Sequence, residues 1–280
     1  MTAAPEGLNT DIPHPARIYD FFLGGKDNFE ADREAARKVI ADFPDAARVA
    51  RQNREFMRDA AALMVGLGIR QFLDLGSGLP TADNLHQVAQ RAAPGTKVVY
   101  VDDDPIVLVH GRALLASDDS TSVITADLRE PDLVWEQAEQ TGLLDLEQPV
   151  GLMMIAVLHF VPGDLTDLVG AYLDRLPDGS HLALSHVTDQ GLDPQEIEQA
   201  TGPYARTRSG LHFRTPEQIE ALFDGIHLLE PGLVPTWQWC PEPEDARALP
   251  RIRRNVDVKP TSPVILASVG HLSASAPTTA

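Results

Sequence analysis

A glycine turn after a short apolar run is the feature of this sequence that points most clearly to chemistry. Phe72–Leu75 is apolar and flanked by glycines, as in a strand buried on both faces of a parallel sheet. Gly76-Ser77-Gly78 then turns the chain, and glycine lets a ligand approach the backbone without meeting a Cβ atom. Pro80 suits the first position of a helix whose free amide groups would point back at the turn. We expect a small anionic or polar ligand group there.

Three carboxylates follow the next predicted strand, Lys97–Val101. An acidic residue roughly 20 residues or slightly more beyond such a turn is placed to accept hydrogen bonds from the two hydroxyl groups of a ribose. Asp102 is the first candidate for this role, with Asp103 beside it. Asp74, in the strand before the turn, adds an acidic-x-Gly-x-Gly pattern. We therefore expect these residues to bind a cofactor that contains a nucleoside.

Two classes of cofactor share this arrangement, and the glycines separate them. NAD sites use G-x-G-x-x-G, in which the third glycine allows close helix packing beside the pyrophosphate. Here Thr81 occupies that third position. S-adenosylmethionine has no phosphate, so a shorter glycine turn is sufficient. The pattern favours S-adenosylmethionine over NAD, and an ordinary α/β turn with a solvated acidic strand end is the third interpretation.

Two later strands would complete the cofactor site. Asp127 follows the predicted third strand, Ser122–Thr125, and could accept from an adenine amine while the N–H of Leu128 donates to a ring nitrogen. The same aspartate could instead be a solvated turn or helix cap. Pro149–Val161, the most apolar run, predicts the central fourth strand, whose carboxyl end brings Ala156 to the reacting end of the cofactor.

Four side chains are candidates for a general base. His159 and His186 end the predicted fourth and fifth strands, and a histidine pKa near neutrality suits proton transfer. A histidine on an apolar strand end is more often a packing residue. Tyr19 and Asp20 lie in PARIYDFFLGGKDNF, which predicts a helix ended by two glycines. This stretch either covers the cofactor and contacts substrate, or packs as a helical cap for stability.

Composition narrows the possible partners. The chain of 280 residues has 41 acidic and 23 basic side chains, a formal net charge of −18, and such a surface repels the phosphate backbones of nucleic acids. A small-molecule substrate fits better. The single cysteine excludes an internal disulfide and a multi-cysteine metal site, and we expect no metal. No signal peptide or membrane span is recognisable, so we expect no membrane partner and a cytoplasmic location.

The remaining pattern divides the chain into three parts. Residues 1–68 predict an N-terminal helical cap or lid, 69–272 an α/β core that binds the cofactor, and 273–280 a disordered tail. Thr188–Thr215 is expected to be a polar insertion, and Ile226–Trp239 and Ser262–Val269 the sixth and seventh strands.

These motifs together resemble those of class I S-adenosylmethionine-dependent methyltransferases. More closely, they resemble an actinobacterial methyltransferase family once catalogued as a domain of unknown function. The resemblance covers roughly Pro13–Val269 and rests on five blocks: PARIYDFFLGGKDNF, LGSGLPTADNLH, VVYVDDDP, TADLREP and LALSHVT. It implies a Rossmann-like α/β sheet of seven strands with the last antiparallel, helices on both faces and an N-terminal helical cap. It implies no particular substrate.

The function expected from the sequence is transfer of a methyl group from S-adenosylmethionine to a small molecule. Two alternatives stay open, an NAD-dependent oxidoreductase and a non-catalytic S-adenosylmethionine-binding protein. The acceptor, the methylated atom, the need for a base and the oligomeric state are not determined by the sequence.

Overall fold

The computed structural model describes residues 10–80, 83–109, 119–240 and 264–273. Three helices precede the first strand, and helices then alternate with strands. The helices of eight or more residues, with one of five residues before the last strands, are α1 (Pro15–Phe22), α2 (Glu30–Asp42), α3 (Ala46–Gly66), α4 (Leu85–Ala92), α5 (Pro131–Gln140), α6 (Thr166–Leu173), α7 (Pro194–Thr201) and α8 (Pro216–Glu220). Residues 105–109 are also helical.

The strands form a single mixed sheet in the described part of the chain. They are β1 (Gln71–Leu75), β2 (Lys97–Asp102), β3 (Thr121–Thr125), β4 (Gly151–Ile155), β5 (His181–Thr188), β6 (His227–Leu228), β7 (Val234–Pro235) and β8 (Val264–His271). Their order is β3-β2-β1-β4-β5-β8-β6, and β7 pairs with another part of β8.

Strand direction confirms the predicted fold class. The first five strands are parallel, and β8 runs antiparallel to β5, from the pair His181 and His271 to the pair Thr188 and Val264. The two-residue strands β6 and β7 share one edge of β8, so the sheet has seven positions across its width. Strand order reverses between β1 and β4, and ligands in such sheets bind at the carboxyl ends beside that reversal.

Side chains that alternate along each strand pack into two separate hydrophobic cores, one on each face of the sheet, because successive residues point to opposite faces. Leu73 and Leu152 pack on one face with Trp135 of α5 and Tyr172 of α6. The other face packs against α3, α4 and Trp239. The Trp239 ring meets Phe56 of α3 edge-on, with 5.0 Å between the ring centroids. The strands are apolar on both faces for this reason, as the sequence predicted.

Several predicted elements differ from those observed. The fourth strand ends at Ile155 instead of continuing through Val161, because Ala156 turns the chain with φ of 53°. The predicted sixth strand is only the short pieces β6 and β7, and the polar insertion contains helix α7. The helix predicted from Pro80 begins at Leu85, after an Asn84 cap, so that boundary is wrong. The last predicted strand is described from residue 264 onward, and residues 274–280 of the predicted tail lie outside the described residues.

A chain of buried hydrogen bonds joins the N-terminal helices to the sheet. The Tyr19 hydroxyl donates to the Ala50 carbonyl at 2.9 Å and accepts from the Asn53 side-chain amide at 3.1 Å. The Asn53 amide oxygen accepts from the Ser185 hydroxyl at 2.7 Å, and that hydroxyl accepts from the Ala156 N–H at 3.0 Å. The end of β4 is therefore positioned by α1 and α3 as well as by the sheet.

Ser185→Ala should lower the free energy of unfolding by about 1–3 kcal/mol, because it leaves the buried amide oxygen of Asn53 without its donor. Ser268→Ala is the matched control. Its hydroxyl, on the neighbouring strand β8, is fully buried and has no hydrogen-bond partner in the described structure. Removal of that hydroxyl should leave stability unchanged or slightly raised. Urea unfolding of both variants is the measurement, and equal losses would contradict the predicted difference.

Candidate active site

A cavity of about 360 Å³ lies at the carboxyl ends of the central strands, within the size range of small-molecule sites. Residues from α1 and α3 form its other side. Its lining includes every residue that the sequence assigned to the cofactor, namely Asp74, Gly76, Ser77, Gly78, Asp102, Asp103, Asp127, Leu128 and Ala156. Tyr19 and Asp20 also line it, whereas His159 and His186 do not. The structure thus brings the predicted cofactor residues together around one space.

The glycine turn is fixed by the neighbouring strand. The amides of Gly76 and Ser77 donate to the carbonyl of Val101, at 2.8 and 3.1 Å. Gly76 has φ of 68°, and a Cβ atom there would lie 2.1 Å from a methyl carbon of Val157. Only glycine satisfies both conditions. A Cβ atom on Gly78 would instead meet nothing nearer than Ala16 at 4.0 Å, on the side where the cavity lies.

Asp102 holds the second glycine of the turn. One carboxylate oxygen accepts from the Gly78 N–H at 2.8 Å, and the other accepts from the Asp104 N–H at 2.9 Å. All three turn amides therefore have partners within the protein. Because α4 begins only at Leu85, its N-terminus is also not at the turn. The expectation of an anion bound by the turn and the helix end is not supported by this geometry.

Burial changes the ionisation of two of the acidic residues. Desolvation raises the pKa of Asp102 to about 7, although the two backbone amides oppose the shift. Desolvation also raises the pKa of Asp74 to about 7, against the nearby charge of Arg54. Burial therefore disfavours the charged form of both carboxyl groups. A ligand that donates hydrogen bonds to them would favour the charged form.

Asp127 and Leu128 lie in the loop after β3, as the sequence predicted. The Asp127 carboxylate accepts from the Arg129 backbone N–H at 2.9 Å and pairs with the Arg129 guanidinium, which lowers the pKa of the carboxyl group. The Leu128 carbonyl accepts from the Tyr172 hydroxyl at 2.7 Å. The loop is thus held from both the solvent side and the core side.

Ala156 has a conformation that is unusual for a residue with a side chain. Its φ of 53° lies in the left-handed region, which costs a non-glycine residue roughly 1–2 kcal/mol. Its N–H donates to both the carbonyl and the hydroxyl of Ser185, at 3.2 and 3.0 Å. Strain of this kind, held by surrounding hydrogen bonds, is typical of functional sites.

Tyr19 and Asp20 face the cavity, and both are tied to their surroundings. The Tyr19 hydroxyl donates a hydrogen bond to the Ala50 carbonyl, and burial raises its pKa. The Asp20 carboxylate accepts from the Asp27 N–H at 3.0 Å and from the Asn28 side chain at 2.7 Å. A Cβ atom on Gly25 would lie 1.8 Å from this carboxylate, so the Gly-Gly sequence is needed to wrap the loop around Asp20.

The two histidine candidates are buried behind the cavity wall. The Arg214 guanidinium donates to Nε2 of His186 at 2.6 Å, so Nδ1 carries the hydrogen and donates to the Val187 carbonyl at 2.6 Å. Desolvation lowers the pKa of His186 to about 4. Burial likewise lowers the pKa of His159 well below its usual value. Neither ring is placed to meet a ligand in the cavity, in contrast to the prediction.

Sequence reasoning missed three residues that line the cavity, Arg54, Asn53 and Arg208. Arg54 and Asn53 lie on α3, and their positions in an amphipathic helix gave no local signal of a site. Arg208 was noted only as part of a polar insertion. Their position at the cavity depends on how the helices pack onto the sheet, and the spacing of residues in the sequence does not indicate that packing.

Residues 1–271 match the family model of S-adenosyl methyltransferases. The chain belongs to that family. A proposed methyltransferase from Thermobifida fusca YX is 38% identical, with a TM-score of 0.87 over 98% of this chain and 100% of its own. A DUF574 family protein from Streptomyces avermitilis is 38% identical, with a TM-score of 0.82 over 94% of this chain and 98% of its own. No curated protein matches the chain.

More distant structures share only the fold. The plantazolicin methyltransferase BamL, in complex with a triazolic desmethylPZN analog and SAH, is 10% identical and has a TM-score of 0.52 over 95% of this chain and 97% of its own. The family resemblance inferred from the motifs is confirmed, and the protein is an S-adenosylmethionine-dependent methyltransferase. Nothing in these comparisons supports the oxidoreductase or the non-catalytic alternative.

The raised pKa values of the methyltransferase give a pH prediction. The carboxyl groups of Asp74 and Asp102 have a pKa of about 7 in the folded protein and a lower pKa in the unfolded chain. Each group therefore stabilises the fold when the pH is below its unfolded pKa. This contribution is lost as the pH rises toward 7. Asp102→Asn cannot ionise. Its stability relative to the wild type should therefore improve between pH 4 and pH 8, by roughly 1–4 kcal/mol.

Urea unfolding at several pH values measures this change. Asp132→Asn, at an exposed position on α5, is the control and should keep a constant difference from the wild type. Taking the difference between variant and wild type removes the opposite contributions of the buried histidines. A difference for Asp102→Asn that does not change with pH would contradict the raised pKa.

Proposed function

We propose that this methyltransferase binds S-adenosylmethionine along the carboxyl ends of β1, β2 and β3 and methylates a small molecule in the same cavity. The observation that supports this most directly is the convergence of the nine predicted cofactor residues, from four separate loops, on one cavity. The cavity is small, and a chain with a net charge of −18 is a poor partner for nucleic acid.

The donors and acceptors around the cavity fit the parts of this cofactor. Asp102 and Asp103 are proposed to accept from the ribose hydroxyls, and Asp127 and the Leu128 N–H to recognise adenine. The amino acid part then lies over the glycine turn, where the open space beside Gly78 admits it. A ribose that donates to Asp102 favours the charged carboxylate, so cofactor binding should release protons near neutral pH.

Arg54 is the proposed partner of the cofactor carboxylate. The turn amides already have acceptors within the protein, so they are not free to bind an anion. Arg54 lines the cavity from α3, and its charge is close enough to lower the pKa of Asp74. Its guanidinium also donates to the Asp83 carbonyl at 3.3 Å, which restricts its orientation. Asp74 is proposed to accept from the cofactor amino group on the other side.

S-adenosylmethionine supplies a methyl group on a cationic sulfur: the acceptor's O, N or C atom forms a bond to the methyl carbon as the sulfur–carbon bond breaks, and its electron pair stays on the S-adenosylhomocysteine. The chain's own residues align the acceptor and exclude water. Ala156, strained and doubly hydrogen-bonded, positions the backbone at the end of β4 beside the reacting groups.

The geometry favours a reaction without a strong protein base. The Tyr19 hydroxyl donates its hydrogen bond to the Ala50 carbonyl, and Asp20 is engaged by the loop that follows α1. We propose that both hold the N-terminal helices α1 and α2 as a cover over the cofactor, and that His159 and His186 position the walls behind it. The proton of the acceptor then leaves to bulk solvent when the methylated product is released.

The location and the domain boundaries stay predictions. Within the described residues, no helix has the length and apolar character needed to cross a membrane. The cap predicted for residues 1–68 includes α3, which packs directly against the sheet and α4. We propose that the movable part of the cap is limited to α1 and α2, whose apolar residues cluster with Tyr204 and with Ala46 and Ala50 at the start of α3.

Calorimetric titration with S-adenosylhomocysteine and 5′-methylthioadenosine tests the cofactor assignment. The second ligand has the same nucleoside but lacks the amino acid. Asp102→Asn should weaken binding of both by roughly 10- to 150-fold, since a hydrogen bond to a charged group contributes about 1.5–3 kcal/mol. Asp132→Asn should change neither. Failure of both ligands to bind the folded wild type would refute the proposed function.

Arg54→Gln should separate the two ligands. It removes the proposed partner of the amino acid carboxylate, so S-adenosylhomocysteine should bind about 10-fold more weakly while 5′-methylthioadenosine binds as before. Equal weakening of both ligands would assign Arg54 to the shape of the cavity instead of to the carboxylate.

A further inference from the structure

One side of the cavity is not used by the proposed cofactor contacts. It is formed by Tyr19 and Leu23 of the N-terminal segment, by Phe160 and Val161 after β4, and by Arg208. The ring of Phe160 lies against that of Tyr204, with 5.8 Å between centroids, so this wall continues into the insertion after β5. Among these five residues Arg208 is the charged one. Asp20, which also lines the cavity, is engaged by the Asp27 N–H and the Asn28 side chain.

That cation, Arg208, has no partner within the described ranges. Each of the other two arginines that line the cavity is engaged, since Arg129 pairs with Asp127 and Arg54 donates to the Asp83 carbonyl. Arg208 lines the cavity, is exposed to solvent, and makes no hydrogen bond or ion pair with a described residue. In a chain with 41 acidic side chains, an arginine kept without a carboxylate is available for an anion from outside.

The loop that carries Arg208 is held in place. The Thr207 hydroxyl donates to the Tyr204 carbonyl at 2.7 Å and accepts from the Gly210 N–H at 3.1 Å. Just beyond, His212 contacts the Ser209 carbonyl through its ring at 2.9 Å and donates its backbone N–H to the His159 carbonyl at 2.8 Å. The loop is therefore attached to the wall after β4.

The wall after β4 is itself fixed by Arg214. Its guanidinium donates to the carbonyls of Leu158, Val161 and Gly163, at 3.3, 2.9 and 2.6 Å, as well as to His186. The Phe160 and Val161 side chains and the Arg208 loop thus share one rigid support. A binding surface ordered before the ligand arrives loses less entropy on binding.

We propose that the acceptor is a small molecule with a flat apolar body and a carboxylate, the body lying against Phe160 and the carboxylate pairing with Arg208. Guanidinium matches the planar, two-oxygen geometry of a carboxylate. This inference rests on the proposed function, because the same cavity must hold the cofactor.

Matched pairs of probes test the inference. The methyltransferase is first saturated with S-adenosylhomocysteine, and 4-hydroxybenzoate, salicylate and anthranilate are then titrated by calorimetry beside their neutral amides. At least one carboxylate should bind, and about 10-fold more tightly than its amide. Arg208→Gln should remove that preference, and Arg208→Lys should keep part of it.

Arg206→Gln is the control, since Arg206 lies two residues away in the sequence, is exposed as Arg208 is, and lines a different groove, where it donates to the Asp11 carbonyl at 3.5 Å. It should leave the preference unchanged. Absence of binding by all three carboxylates, equal binding of acid and amide, or an Arg208→Gln variant that behaves as the wild type would each overturn the inference. Failure of S-adenosylhomocysteine to bind would instead refute the proposed function, so the two failures are distinct.

Discussion

The two hydrogen bonds to Asp102 are the constraint on which the active site depends. They join the end of β2 to the glycine turn after β1 and to the next turn of its own loop, so three backbone segments meet at one carboxyl group. That group is 8% exposed, and it binds a proton far more readily than a solvated aspartate does. Below a pH of about 7, burial therefore favours the neutral acid, whereas a ligand that donates hydroxyl groups favours the charged form. Cofactor binding and ionisation of Asp102 are coupled for this reason.

A second constraint acts from the N-terminal side. The hydrogen bonds that run from Tyr19 through Asn53 and Ser185 to Ala156 pass from α1, across α3, to the strand ends. They stabilise a left-handed backbone conformation at Ala156 that the sheet alone would not favour. Movement of α1 away from the cavity would break the first of these bonds, so the cover and the strained residue respond to the same interaction.

The sequence predicted the sheet well, and the residues that it proposed for the cofactor lie around one cavity, because both features follow local rules. Buried parallel strands are apolar at nearly every position, and the loops at their carboxyl ends necessarily share one edge of the sheet. The predictions failed where a conformation depends on distant partners. The fourth strand was extended past Ile155 because an apolar run does not reveal that Ala156 adopts a positive φ. The role of Arg54 depends on how α3 packs, and no spacing in that helix indicates it.

The two histidine candidates also show that the sequence does not reveal contacts with distant residues. A histidine at a strand end has the composition of a base, yet His186 accepts from Arg214, whose remaining donors reach the carbonyls of Leu158, Val161 and Gly163. Arg214 is 6% exposed, so its charge is stabilised by these oriented carbonyl dipoles and by a neutral imidazole. A protonated His186 would place two cations 2.6 Å apart in the core, and burial accordingly lowers the pKa of His186 to about 4. The neutral ring is thus required for the support of the cavity wall, and the same requirement removes it from proton transfer.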